Sequence, residues 1–126
     1  MPDLVTIRMK LPQTLNGNRV LKRLDFELLQ TKYKTHRRLQ VFANKGTVCV
    51  RCGVEGVHLL SSVNPSGGHH VDLYTANFVL MTVDHILPKS RGGANELANY
   101  QPMCQHCNGR KGNTLETIAS KQDDRP

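Results

Sequence analysis

Along the first residues the apolar positions recur every second residue. Val5, Ile7, Met9 and Leu11 alternate with Thr6, Arg8 and Lys10, which predicts a short strand over residues 4–11. Pro12 and the Asn16-Gly17-Asn18 cluster then end it. Residues 19–44 contain no Gly or Pro, and Leu21, Leu24, Leu28, Leu29, Leu39 and Phe42 approximate a helical stripe, with Lys34, Arg37 and Arg38 on other faces. This spacing predicts one or two helices, broken near Thr31–Thr35 and stopped at Gly46. Residues 61–70 read as a loop. Phe78 to Val83 is a β-prone run leading into Asp84-His85, and Pro88 to Asn95, with Gly92-Gly93, should be an irregular turn. Tyr100 to Met103 can pair back as a second strand. A short helix is expected across Asn108-Gly109-Arg110-Lys111 and stopped near Gly112. Thr114 is expected to cap a last helix over 115–121, with 122–126 as a frayed tail.

The chain has 126 residues, of which 38% are apolar and none is Trp, enough for one domain with a modest core. It has no apolar run near the roughly 20 residues that span a bilayer, and Met1 to Leu11 is too polar for a signal peptide. A soluble intracellular protein with no membrane partner is therefore expected. Charge changes the picture more. The net charge is +7, and all of the excess lies in residues 1–48, where ten basic residues face only Asp3, Asp25 and Glu27. Such one-sided charge suits a polyanion, nucleic acid above all, although a merely solvated basic helix has the same composition.

All four cysteines lie in the other part, as Cys49-Val-Arg-Cys52 and Cys104-Gln-His-Cys107. Thiolates two residues apart can reach one ion, and two such pairs complete a tetrahedral zinc site. Two disulfides or a redox dithiol are the other uses of these residues. Disulfides belong to secreted chains, and a redox centre needs only one pair. With four protein ligands a zinc ion has no open position, so its part is structural.

Asp84 and Asn108 offer hard oxygens suited to Mg²⁺ or Mn²⁺. His85 should point to the opposite face of its strand from Asp84 and can act as a general base near neutrality. Taken singly, such residues more often cap turns or face solvent. Their combined order is more specific. Val83-Asp84-His85-Ile86-Leu87-Pro88-Lys89-Ser90-Arg91-Gly92-Gly93, then Asn99, then Cys104-Gln105-His106-Cys107-Asn108-Gly109-Arg110-Lys111-Gly112 resembles the signature of the HNH endonucleases. The Cys49-x-x-Cys52-Gly53 that follows Arg37-Arg38-Leu39-Gln40-Val41-Phe42 is similar to the zinc-bearing branch of that family. The likeness covers roughly residues 37–112. Asn108 stands where other members carry His, the 52–84 stretch is longer than in many, and the first 36 residues match no part of the signature.

The resemblance implies an α+β fold with a ββα-metal core and a four-cysteine structural Zn²⁺ site, to which the pattern and charge of the first residues add an N-terminal basic helical segment. It divides the chain into an extension (1–36), a nuclease domain (37–121) and the tail (122–126). It implies a metal-dependent endonuclease that hydrolyses the phosphodiester bonds of double-stranded DNA to 3′-hydroxyl and 5′-phosphate ends. His85 would be the general base, Asp84 and Asn108 would hold the catalytic Mg²⁺ or Mn²⁺, and Asn99 would brace the hairpin loop and orient His85. This chemistry suits metal-assisted hydrolysis. Lys111, Arg110, Arg91, Lys89, Arg37 and Arg38 would contact nucleic acid. The cytoplasm of a bacterial or phage-infected cell is the expected location. Removal of residues 1–36 would then weaken DNA binding and flatten its salt dependence while sparing the site.

Other residues are weighed more plainly. His69, His70 and His106 read as solvated, His36 as a surface residue that can touch phosphate, and Tyr33, Tyr74 and Tyr100 as core or rim positions. The different-class alternative is a zinc-stabilised nucleic-acid-binding module without catalysis. The presence of Asp84, His85, Asn99 and Asn108 together favours the enzyme, and an RNase remains compatible with the same chemistry.

Overall fold

The computed structural model describes residues 3–111. The helix expected over 115–121, its cap at Thr114, the stop at Gly112 and the tail lie outside them. Asp3 accepts the Thr6 amide and caps a single helical turn, α1 (Leu4–Ile7). The strand expected over 4–11 is thus not formed, because a cap and i→i+3 bonds from Arg8 to Val5 and Met9 to Thr6 close the backbone locally.

The larger correction concerns residues 19–29. They do not begin a helix. β1 (Thr14–Leu15) and β2 (Asn18–Arg23) form a hairpin whose two-residue loop is Asn16-Gly17, both with positive φ (52° and 81°). A tight Asn-Gly loop with left-handed backbone at both positions matches strand twist and is a strong hairpin signal. It outweighs the Leu spacing that follows. Asp25 then caps a short 3₁₀ turn, Phe26–Leu29, and α2 (Leu39–Lys45) is the only part of the expected helical stretch that is α-helical. Gly46 does end it, with φ 93° and its N–H on the Phe42 carbonyl.

β3 (Gly56–Val63) and β4 (His69–Thr75) follow, giving one antiparallel sheet in the order β1-β2-β3-β4. The loop expected at 61–70 shrinks to residues 64–68. There the Asn64 carboxamide oxygen accepts the amides of Ser66 and Gly68 and the Ser66 hydroxyl, a local arrangement that closes a tight turn. His69 and His70 sit in β4 just after this turn, and His70 Nε2 meets the Asn64 side chain at 3.1 Å.

The second sheet is the hairpin of β5 (Met81–His85) and β6 (Tyr100–Cys104), followed at once by α3 (Gln105–Lys111). This agrees with the strand, turn, strand and helix read from the sequence. One core joins both sheets and α2: Leu29, Leu39, Phe42, Leu59, Leu73, Met81 and Met103, together with Cys49, Cys104 and Cys107. The boundary drawn at residue 36 is crossed twice, by the β2–β3 pairing and by Leu29 in this core. Truncation at 36 would therefore remove β1 and β2 along with the charge, and substitution of the exposed Arg19 and Lys22 is the cleaner test of that charge. Among the described residues, no helix is long and apolar enough to cross a membrane.

Candidate functional site

The four cysteine sulfurs lie within 4.8 Å of one another, and Cys52 Sγ is 3.8 Å from Cys104 Sγ. A zinc–sulfur bond of about 2.3 Å in a tetrahedron sets sulfurs about 3.8 Å apart, so the cluster fits the ion. Two local turns build it. Val48 pairs with Glu55, the Cys49 amide bonds the Val54 carbonyl, and Gly53 turns the chain at φ 81°. Cys104 ends β6, and the Cys107 amide donates to the Cys104 sulfur at 3.5 Å. Val50 N–H to the Pro102 carbonyl (3.1 Å) ties the two turns together. Burial pushes the Cys107 and Cys104 thiols up. Burial opposes ionisation of Cys49 too, but backbone hydrogen bonds from Cys52, Cys104 and Arg51 bring it down to about 7. Thiols packed this closely need a cation to ionise together, which a structural metal such as zinc would supply.

The Cys104–Cys107 turn also fixes where α3 starts, and α3 lies on the Thr82 and Asp84 side of the β5–β6 hairpin. Side chains alternate along β5, so Thr82 and Asp84 face the helix while Val83 and His85 face away. Asp84 Oδ2 accepts from Lys111 Nζ at 3.0 Å and from Gln101 Nε2 at 3.2 Å. Asn108 Nδ2 donates to Thr82 Oγ1 (2.8 Å), which donates on to the Met103 carbonyl (2.7 Å). The amide oxygen is thus the end of Asn108 not engaged with Thr82. Asp84 and Asn108 are brought onto one side of the hairpin, as the sequence reading expected.

On the other side, the His85 ring meets Tyr100 edge-on, with centroids 5.1 Å apart, and its Nε2 lies 2.8 Å from Asn95 Oδ1. Asn99 spans the loop that carries both. Its Oδ1 accepts the Leu87 amide (2.8 Å), and its Nδ2 donates to the carbonyls of Leu87 (3.0 Å) and Ala94 (2.9 Å). Gly93 is packed so closely that a Cβ there would stand 1.7 Å from the Leu87 carbonyl oxygen. Asn99→Ala should therefore cost about 2 kcal/mol of stability and Gly93→Ala at least as much. Both losses are read as a fall in melting temperature in a thermal melt.

The basic residues divide. Lys89, Arg91, Arg110 and Arg37 are exposed. Arg38 bonds the Asp72 carboxylate (2.7 Å) and the Val71 carbonyl (2.8 Å). Lys111 departs most from the expectation of an outward phosphate contact. Its side chain is 1% exposed, and its ammonium bonds Asp84 and the His85 carbonyl (3.2 Å). Spacing after Asn108 placed it near the ion; only packing turns it inward. Lys111→Met leaves Asp84, 10% exposed, without this cation, so stability should fall by about 3 kcal/mol. Added Mn²⁺ should raise the melting temperature of the variant more than that of the wild type, readable by a thermal melt.

Thr82, Asn95 and Gln101 escaped the sequence reading. Each is an ordinary polar residue whose contact depends on the pairing of β5 with β6 or on the path of the intervening loop.

These parts define a small α+β domain in which a β-hairpin and a helix share a cysteine-built metal centre. Residues 70–124, a little under half of the chain, match the model of the HNH endonuclease family. The match begins at His70, so Cys49 and Cys52 join the site through the tertiary structure. Neither the curated proteins nor the solved structures provide a match.

Proposed function

We propose that the protein is a metal-dependent endonuclease hydrolysing DNA phosphodiester bonds, with β5, β6 and α3 as a ββα-metal core. The observation that carries this is the division of β5 by α3: Asp84 and Asn108 share the helix side of the hairpin, while the adjacent His85 is held on the other. Asp84 Oδ1 and the Asn108 amide oxygen are hard donors that would hold Mg²⁺ or Mn²⁺. When bound, that ion neutralises charge on the phosphate and the leaving 3′ oxygen. Both hydrogen bonds on Asp84 fall on Oδ2 and fix the carboxylate plane.

His85 removes the proton from the attacking water. With Asn95 Oδ1 accepting from Nε2–H, Nδ1 is the nitrogen left to take it. Asn99 keeps the Leu87 and Ala94 backbone in register, and so holds Asn95 against His85. Arg110, Lys89, Arg91 and Arg37 supply phosphate contacts, and the cysteine site, loaded with Zn²⁺, pins α3 to the hairpin. The products carry 3′-hydroxyl and 5′-phosphate ends. Nicking of a supercoiled plasmid in Mg²⁺ or Mn²⁺, abolished by EDTA, is the expected result. Binding without cleavage in every divalent ion would instead assign a zinc-stabilised binding module.

A further inference from the structure

On the His85 side of the hairpin lies a cavity of about 340 Å³, lined by His36, Arg37, Arg38, Val83 and Tyr100. Its floor is apolar and lies beside His85. Val83 and His85 project from the same face of β5, and Tyr100 is the register partner of His85 with its ring against the imidazole. Its rim comes from three successive residues ahead of α2: Arg37, which is exposed, Arg38, and His36, which burial and the neighbouring Arg38 push toward its neutral form. Leu39, fully buried, and the Arg38–Asp72 ion pair anchor that segment. No carboxylate is among the lining residues. The volume lies at the lower end for small-ligand pockets, more than a bare phosphate needs and suited to one nucleotide. Tyr100, expected from sequence to be a plain core or rim residue, here offers a ring to this space.

Resting on the nuclease reading above, we propose that this cavity receives one nucleotide of the cleaved strand beside the scissile phosphate. The base lies on Val83 and Tyr100, and its phosphate lies against Arg37 and His36. A stacked, paired base cannot enter such a pocket, so the nucleotide must leave the stack, which costs least where it is already unpaired. The favoured substrate is therefore a duplex with a bulged or otherwise unpaired nucleotide next to the cut.

Equilibrium binding in buffer without added Mg²⁺ or Mn²⁺ tests this without hydrolysis and leaves the zinc in place. Two duplexes are compared, one fully paired and one carrying a single bulged 2-aminopurine. The wild type should bind the bulged duplex tighter by roughly ten-fold or more, the scale of one base–aromatic stack, and should quench its fluorescence. Val83→Phe, which fills the floor, should abolish both effects while binding the paired duplex as the wild type does. If Val83→Phe fails to retain zinc and wild-type melting, Arg37→Gln is read instead and should shrink the bulged-to-paired ratio. Equal wild-type affinity for the two duplexes, or a ratio unchanged in the folded variant, overturns the proposal. Bulge preference without cleavage in any divalent ion would sink the nuclease reading and leave the pocket. Cleavage without bulge preference would sink the pocket and leave the nuclease.

Discussion

His85→Ala is expected to lower metal-dependent nicking by at least the roughly 10²–10⁴-fold that a positioned general base contributes, with zinc content and melting temperature unchanged. The structure makes this a clean experiment. The imidazole is half-buried, set against the Tyr100 ring edge and the Asn95 side chain and outside the buried core cluster, so its loss should leave that core intact. The His85 backbone carbonyl, which accepts from Lys111, survives the substitution. Asp84 and Asn108 are held from the α3 side and should still take the divalent ion. A plasmid-nicking time course in Mg²⁺ and Mn²⁺, with zinc measured on the same sample, checks it. Wild-type rates from His85→Ala would remove the histidine from the chemistry.

The second large effect is expected at the cysteines. Cys49, Cys104 and Cys107 belong to the same packed cluster as Leu39, Phe42, Met81 and Met103, so the metal centre and the core are one object. Structural zinc binds with an apparent free energy of about 10–16 kcal/mol, which matches or exceeds the roughly 5–15 kcal/mol that holds a whole domain. Cys104→Ser, or removal of zinc by a strong chelator, should therefore abolish the cooperative thermal transition followed by circular dichroism. Restoring Zn²⁺ should recover it in the wild type only. Because protons compete with the metal for the thiolates, zinc release should rise as pH falls. A chelated protein that melts as before would mean that the apolar core alone holds α3 to the hairpin.

Much of the site was legible because its signals are local. The two Cys-x-x-Cys pairs are short patterns whose chemistry follows from residue type and spacing, whereas the roles given to Asp84, His85, Asn99 and Asn108 come from the family resemblance of their combined order. The β5–β6–α3 order follows from one β-prone run, one glycine-rich turn and one helix in succession. The N-terminal third was misread where two local signals conflict. The Leu spacing of residues 21–29 suits a helix, but Asn16-Gly17 commits the chain to a hairpin first, and the long β3 strand then provides the partner that β2 needs.

By itself, the sequence determined the chemical inventory of this protein: four thiols for one structural metal, an adjacent carboxylate and imidazole, two asparagines, and a basic excess confined to residues 1–48. Only the tertiary structure decided how that inventory is spent. It turned Lys111 inward onto Asp84 and paired Arg38 with Asp72. It set Asn95 against His85, and brought His36 and Arg37 beside Val83 and Tyr100. The physical reason is range. Residue type and short spacing fix what a side chain can do, whereas a contact between residues 10 (His85–Asn95) to 64 (His36–Tyr100) positions apart depends on loop path, strand register and burial, which no local pattern contains.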